Sequence, residues 1–142
     1  MPSTEQIKRM NDINDLIKLI ASIDRRIFYC KSKDRIAYFR FRTKLFFVDG
    51  NTGDDVYPYQ LGYEAKGFSY GGNMWELINS FRRFIITGKP GDLRDYKEIW
   101  AYSKEGCMKI RQKAKEIGFI ATTDYPYSLR EWMEAARCQD HL

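Results

Sequence analysis

The chain has 142 residues, with 24 Lys and Arg against 19 Asp and Glu, giving a formal net charge of +5. That length suits one domain with a real core, and an apolar share of 44 % with 30 % charged residues excludes a disordered chain. The basic balance excludes an acidic mimic of DNA and favours anionic partners such as nucleotides or nucleic acid.

The first segment reads as a helix within residues 1–24. Ser3 and Gln6 fit a capping box, with Thr4 as a second cap candidate. Ile7, Met10, Ile13, Leu16, Ile17, Ile20 and Ile23 then recur at helical spacing, to about Ser22. Strand signals fill residues 25–60. "RRIFYC" and "DRIAYFRFR" flank the polar turn "KSKD". In the second run Ile36, Tyr38, Arg40 and Arg42 alternate with Ala37, Phe39 and Phe41, so one face carries arginines and the other buries rings. "KLFFVD" and "DVYPY" flank the glycine-rich turn "GNTGD", and Pro58 marks the last strand as an edge or as ending there. The expectation is a four-stranded antiparallel sheet.

"LGYEAKGFSYGG" reads as loop or irregular strand. A helix follows from Asn73, with Glu76 placed for a capping box. Its stripe is Met74, Leu77, Ile78, Phe81, Phe84 and Ile85, and Gly88 and Pro90 stop it. After "KPGDLRDYKEIWAY", Ser103 caps another helix whose apolar face is Cys107, Ile110, Ala114 and Ile117, ending at Gly118. The two helices span residues 73–118. In the tail, 121–142, Ser128 and Glu131 mark a short helix in "SLREWMEAAR". The fold class is α+β: a single domain with an antiparallel four-stranded sheet packed between an N-terminal helix and C-terminal helices.

Cys30, Cys107 and Cys138 are far apart and unpaired in spacing. With no secretory signal and no membrane-length apolar run, a reducing cytoplasm is the expected compartment.

The residues do not spell out an enzyme. His141 is the only histidine, which leaves no Cys–His or Ser–His arrangement and no Cys/His metal cluster. Asp49, Asp54 and Asp55 fall at a hairpin turn, where they suit a divalent ion or simply the turn itself. Asp24 and Glu64 can be paired only by folding. Neither a Walker A nor a dinucleotide fingerprint is present. No cofactor is expected.

What remains is "FSYGGN", Phe68 to Asn73, ahead of a strongly amphipathic helix. A helix start offers free N–H groups and the positive end of a dipole, and glycines let a phosphate approach the backbone. Gly71, Gly72 and Asn73 fit that use. They equally fit a turn that needs positive φ. Phe68 and Tyr70 are placed to stack on a base. Arg40 and Arg42 share a strand face with Tyr38, Arg25 and Arg26 open the first strand, and Tyr57 and Tyr59 alternate on the last. Arginine pairs with phosphate and flat rings stack, so this face suits a nucleotide, or it is a solvated face with tyrosines packed over it. On the basic third helix, Arg111 follows Ile110 of the buried face and can point along an interface.

The order of "RRIFYC", "RIAYFRF", "LFFVDGNTGDDVYPY", "GFSYGGNMWELINSFRRFIITGKP" and "WAYSKEGCMKIRQKAKEIGFI" resembles the type-one anti-Thoeris proteins of phages. The resemblance covers about residues 20–120. Asn73 stands where that family's threonine is expected, and either residue caps a helix. The resemblance implies a phage counter-defence protein that sequesters a cyclic ADP-ribose signal made by bacterial TIR enzymes, without cleaving it. It implies a sheet between helices, a dimer or larger homo-oligomer, and in some members cyclic oligonucleotides at separate sites between subunits. It also places Arg111, through the ending motif. The ligand-binding set is then Arg26, Arg40, Arg42, Tyr57, Phe68, Tyr70, Gly71, Gly72, Asn73 and Arg111, with "FSYGGN" closed by the strand arginines into one pocket. Replacing Arg40 or Tyr70 should abolish capture and leave stability nearly unchanged.

Three other readings stay open. A nucleic-acid-binding or anti-restriction module would show affinity falling steeply with salt. An inhibitor of a host protein would place its tyrosines and tryptophans in an interface and bind no small molecule. An enzyme that degrades the nucleotide has the least support.

Overall fold

The computed structural model describes residues 1–57, 66–91 and 101–120, apart from the side chains of 72 and 73. The expectations for Pro58, Tyr59, Glu64, Trp100, the helix at 128–137, Cys138 and His141 lie outside the described residues.

Helix α1, Thr4–Ser22, starts as its sequence dictates: Gln6 N–H donates to Ser3 Oγ at 3.1 Å and Ser3 N–H donates to Gln6 Oε1 at 3.0 Å. Ile13, Leu16, Ile17 and Ile20 are fully buried, whereas Ile7 at the start of the stripe is 41 % exposed. Helix α2, Gly72–Thr87, and helix α3, Lys104–Glu116, both pack against α1. Gly88 at φ 77° closes α2, and Ser103 Oγ accepts from Gly106 N–H to open α3.

The β region departs from the expected single sheet. Among the described residues it holds five short strands in two sheets: β1 (Tyr29–Cys30) with β2 (Arg35–Ile36), then β3 (Tyr38–Phe41), β4 (Leu45–Val48) and β5 (Asp55–Val56) in that order. All pairings are antiparallel. The split arises in "RRIFYC". Arg26 and Phe28 have φ of 52° and 75°, so the chain turns through residues 25–28 and only Tyr29 and Cys30 remain extended. Ala37 N–H then donates to Phe28 O at 2.9 Å, which separates β2 from β3.

Within the three-stranded sheet, alternation holds. Phe39 lies opposite Phe47, which lies opposite Val56, and all three are buried toward the helices. Tyr38, Arg40, Phe46 and Asp55 point the other way. The free edge of β3 is closed by α1: Asn14 Nδ2 donates to Phe39 O at 2.9 Å, and Phe39 N–H donates to Asn14 Oδ1 at 2.7 Å. This blocks the addition of another strand there. Helix α1 also caps α2, whose last turn has no basic residue of its own. Gln6 Nε2 reaches Ile86 O at 3.1 Å and Arg9 Nε reaches Ile85 O at 3.0 Å. Just beyond α1, Asp24 accepts from Tyr102 N–H at 2.7 Å and Ser103 N–H at 2.9 Å, at the start of α3. The Ser103 side chain first, and then these backbone bonds, hold its carboxyl below the usual range. No described helix is long and apolar enough to cross a membrane.

Candidate functional site: a basic groove at one end of the sheet

Pairing of Phe41 with Leu45 leaves Arg42, Thr43 and Lys44 as the β3–β4 turn, closed by Arg42 N–H donating to Lys44 O at 2.9 Å. This turn, the start of α1, Ile86 near the end of α2, and Tyr57 just after β5 enclose a groove of about 620 Å³. That volume is in the range of small-molecule sites. Arg42, Lys44, Phe41, Tyr57 and Gln6 line it, and no carboxylate does among the described residues. Lys44 Nζ sits 4.9 Å from the Tyr57 ring centroid, and the Tyr57 ring packs at 5.7 Å from that of Phe46. Phe46 lies opposite Arg40, so Arg40, Phe46 and Tyr57 form one row across the outer face.

Asp55 sits beside this row. Arg40 donates from Nε at 3.0 Å and from Nη2 at 2.7 and 2.8 Å, and Arg42 Nε lies 3.4 Å away. Arg40 chiefly, with Arg42 second, holds the Asp55 carboxyl below the usual range.

The "FSYGGN" residues face elsewhere. Tyr70 packs at 5.4 Å from Phe28 and 6.1 Å from Phe47, and Phe68 packs at 4.9 Å from Trp75 and 6.2 Å from Phe47. Phe47 is on the inner face of β4, whereas Phe46, which touches Tyr57, is on the outer face. Within one chain, Phe68 and Tyr70 therefore face away from Arg40, Arg42 and Tyr57, and neither lines the groove. Gly50 N–H donates to the Tyr70 hydroxyl at 3.1 Å, and burial pushes that phenol well above its usual range. Tyr70 is bound into the core, so its replacement costs stability, contrary to the expectation from sequence.

Asp49 ties this segment to the loop between β4 and β5. It is fully buried and accepts from Asn51 N–H at 2.8 Å, Thr52 N–H at 3.0 Å, Ser69 N–H at 2.8 Å and the Ser69 hydroxyl. The acidic cluster thus divides its work: Asp49 latches the hairpin loop to Ser69, and Asp55 pairs with arginines. Among the described residues, no three His, Cys, Asp or Glu side chains converge on a metal position.

The second helix begins one residue earlier than expected. Gly71 is its N-cap, at φ 84° and ψ −178°, and no side chain caps it. That backbone region is essentially restricted to glycine, so the turn itself requires Gly71. Gly72 and Asn73 are already in α2, which replaces the expected capping box of Asn73 and Glu76. Arg26 is exposed and lies over the Tyr29 ring at 4.4 Å, beside β1. Arg111 is half-buried on α3. The structure thus brings together Arg40, Arg42 and Tyr57, and places Arg26 and Arg111 on other elements.

Lys44 and Asp55 were not among the expected site residues. Lys44 continues the period of Arg40 and Arg42, a signal present in the sequence. Asp55 joins them only through strand register.

The YoqU family model matches residues 3–140 of the chain. A relative from Bacillus subtilis strain 168, described as "SPbeta prophage-derived uncharacterized protein YoqU", is 81 % identical over 134 residues, covering 94 % of this chain and 98 % of its own length. No solved structure matches.

Proposed function

The chain belongs to the YoqU family, and we propose on that premise that it is a phage counter-defence protein that binds and sequesters a cyclic nucleotide immune signal without cleaving it. The observation that carries this reading is the convergence of Arg42, Lys44 and Tyr57 on one groove at the end of the sheet. Two cations can meet phosphate oxygens, and an aromatic ring beside them can meet a base. The prophage origin of the relative supports a viral role. The proposed ligand is a cyclic ADP-ribose isomer or a cyclic oligonucleotide. The proposed setting is the cytoplasm of an infected bacterium, as a homo-oligomer.

Purified protein would be melted with TIR-derived cyclic ADP-ribose isomers and with cyclic di- and trinucleotides, and the bound ligand released by heat for mass analysis. A rise in melting temperature with intact ligand recovered is the expected result. Recovery of an altered ligand would make the protein an enzyme. Absence of any shift would remove this reading and direct attention to nucleic acid and host proteins.

A further inference from the structure

Asp55 holds its two arginines unequally. Arg40 closes three hydrogen bonds on it, at 2.7–3.0 Å, and its side chain is 36 % exposed. Arg42 approaches only to 3.4 Å and is 59 % exposed. A carboxylate carries one negative charge, and Arg40 alone neutralises it. The charge of Arg42 is left over, and Arg42 lines the groove while Arg40 does not. With Lys44, Arg42 gives the groove two cationic side chains among the described residues.

We propose that Asp55 keeps Arg42 poised at the groove and yields it to a ligand phosphate, while Arg40 stays behind as the fixed counter-charge; this rests on the groove being the ligand site. The exchange costs little on the protein side. Asp55 keeps its pairing with Arg40, so no carboxylate is left uncompensated. Arg42 gains a planar, bidentate partner in the phosphate. Lys44 supplies the second cation. Its ammonium covers the Tyr57 ring at 4.9 Å, and its movement toward a phosphate would open that ring face to a base. The ligand class that answers both cations is a nucleotide with two adjacent negative charges, such as a diphosphate. A single carboxylate would leave one cation unmatched. Arg40 is a positioning residue in this scheme, and Arg42 is the contact.

The test is calorimetric titration of the full chain with adenosine 5′-diphosphate, with thermal melts of every variant. Arg42→Ala should weaken binding roughly ten- to a hundredfold at an unchanged melting temperature. Arg40→Met should weaken it too, because Asp55 then claims Arg42 in full. The double variant Arg40→Met/Asp55→Asn should recover the wild-type affinity, a rescue that a residue touching the ligand would not show. Unchanged binding in Arg42→Ala overturns the proposal, as does a double variant as weak as Arg40→Met. If Arg40→Met fails to fold, Arg42→Ala still decides. Wild type that binds a cyclic nucleotide but not the diphosphate overturns this assignment and leaves the previous reading standing. Wild type that binds neither removes both.

Discussion

On the inner face of the β3–β4–β5 sheet, Phe39, Phe47 and Val56 are sealed from water by helices, and each polar group of the Asp49–Ser69 latch beside them has a partner. On the outer face, Arg40, Arg42, Asp55 and Tyr57 stay partly in water, with three nearby cations, Lys44 included, and one carboxylate among the described residues. Both faces use rings and charges. The inner one spends them on each other and sets the fold; the outer one, among the described residues, groups Arg40, Arg42 and Lys44 around the single carboxylate of Asp55. Aromatic residues therefore do not by themselves mark a site here. The proposed site rests instead on cations gathered beside a partly exposed ring.

The largest effect should come from the inner face. Phe47→Ala removes a fully buried ring that packs on Phe28, Phe39, Phe68 and Tyr70, and should cost about 3–5 kcal/mol in urea unfolding. Asp49→Ala leaves the amides of Asn51, Thr52 and Ser69 without their acceptor, and should cost about 2–3 kcal/mol by the same measurement. A loss no larger than a surface substitution would show that the latch is replaceable by water.

Gly71→Ala adds a methyl where nothing lies within 4 Å. Any cost is therefore backbone strain, expected at about 1–2 kcal/mol. A neutral result would mean that the turn relaxes, and that Gly71 serves something other than geometry.

Away from the inner face the effects should shrink. The carboxyls of Asp24 and Asp55 are held below their ordinary range, by Ser103 and Tyr102 and by Arg40. Their contribution is present above about pH 4 and is lost as pH falls through the depressed values. An acid series of melting temperatures should be flatter for Asp55→Asn than for wild type. Smallest of all, Arg42→Ala should shift stability by no more than about 0.5 kcal/mol. A larger loss would place Arg42 with the inner-face residues as part of the scaffold.

The helices were legible because their signals are local. The Ser3–Gln6 box, the Ser103 cap and the Gly88 stop each act within one turn of the residue that carries them. The alternation of Phe39 and Arg40 was legible for the same reason. The split sheet was not: positive φ at Arg26 and Phe28 belongs to residues that disfavour it, and tertiary packing imposes it. "FSYGGN" was ambiguous because Phe68 and Tyr70 read alike as stacking rings and as core. Only the side of β4 they meet decides, and that depends on contacts about twenty residues away, such as Ser69 with Asp49. The sequence pointed to Arg42 and Tyr57 as candidates; that Asp55 pairs with Arg40 and Arg42 needed the register.

The anchors of α1 reach far along the chain: Asn14 to Phe39, Gln6 and Arg9 to residues 85–86, and Asp24 to residues 102–103. A ribosome makes this helix well before its partners. Ile13, Leu16, Ile17 and Ile20 must wait, exposed and sticky, until most of the chain has left the tunnel. Chains stalled before α3 should accumulate on chaperones rather than as a stable half-domain. The yield of folded protein would then be limited by completion of the chain rather than by its initiation.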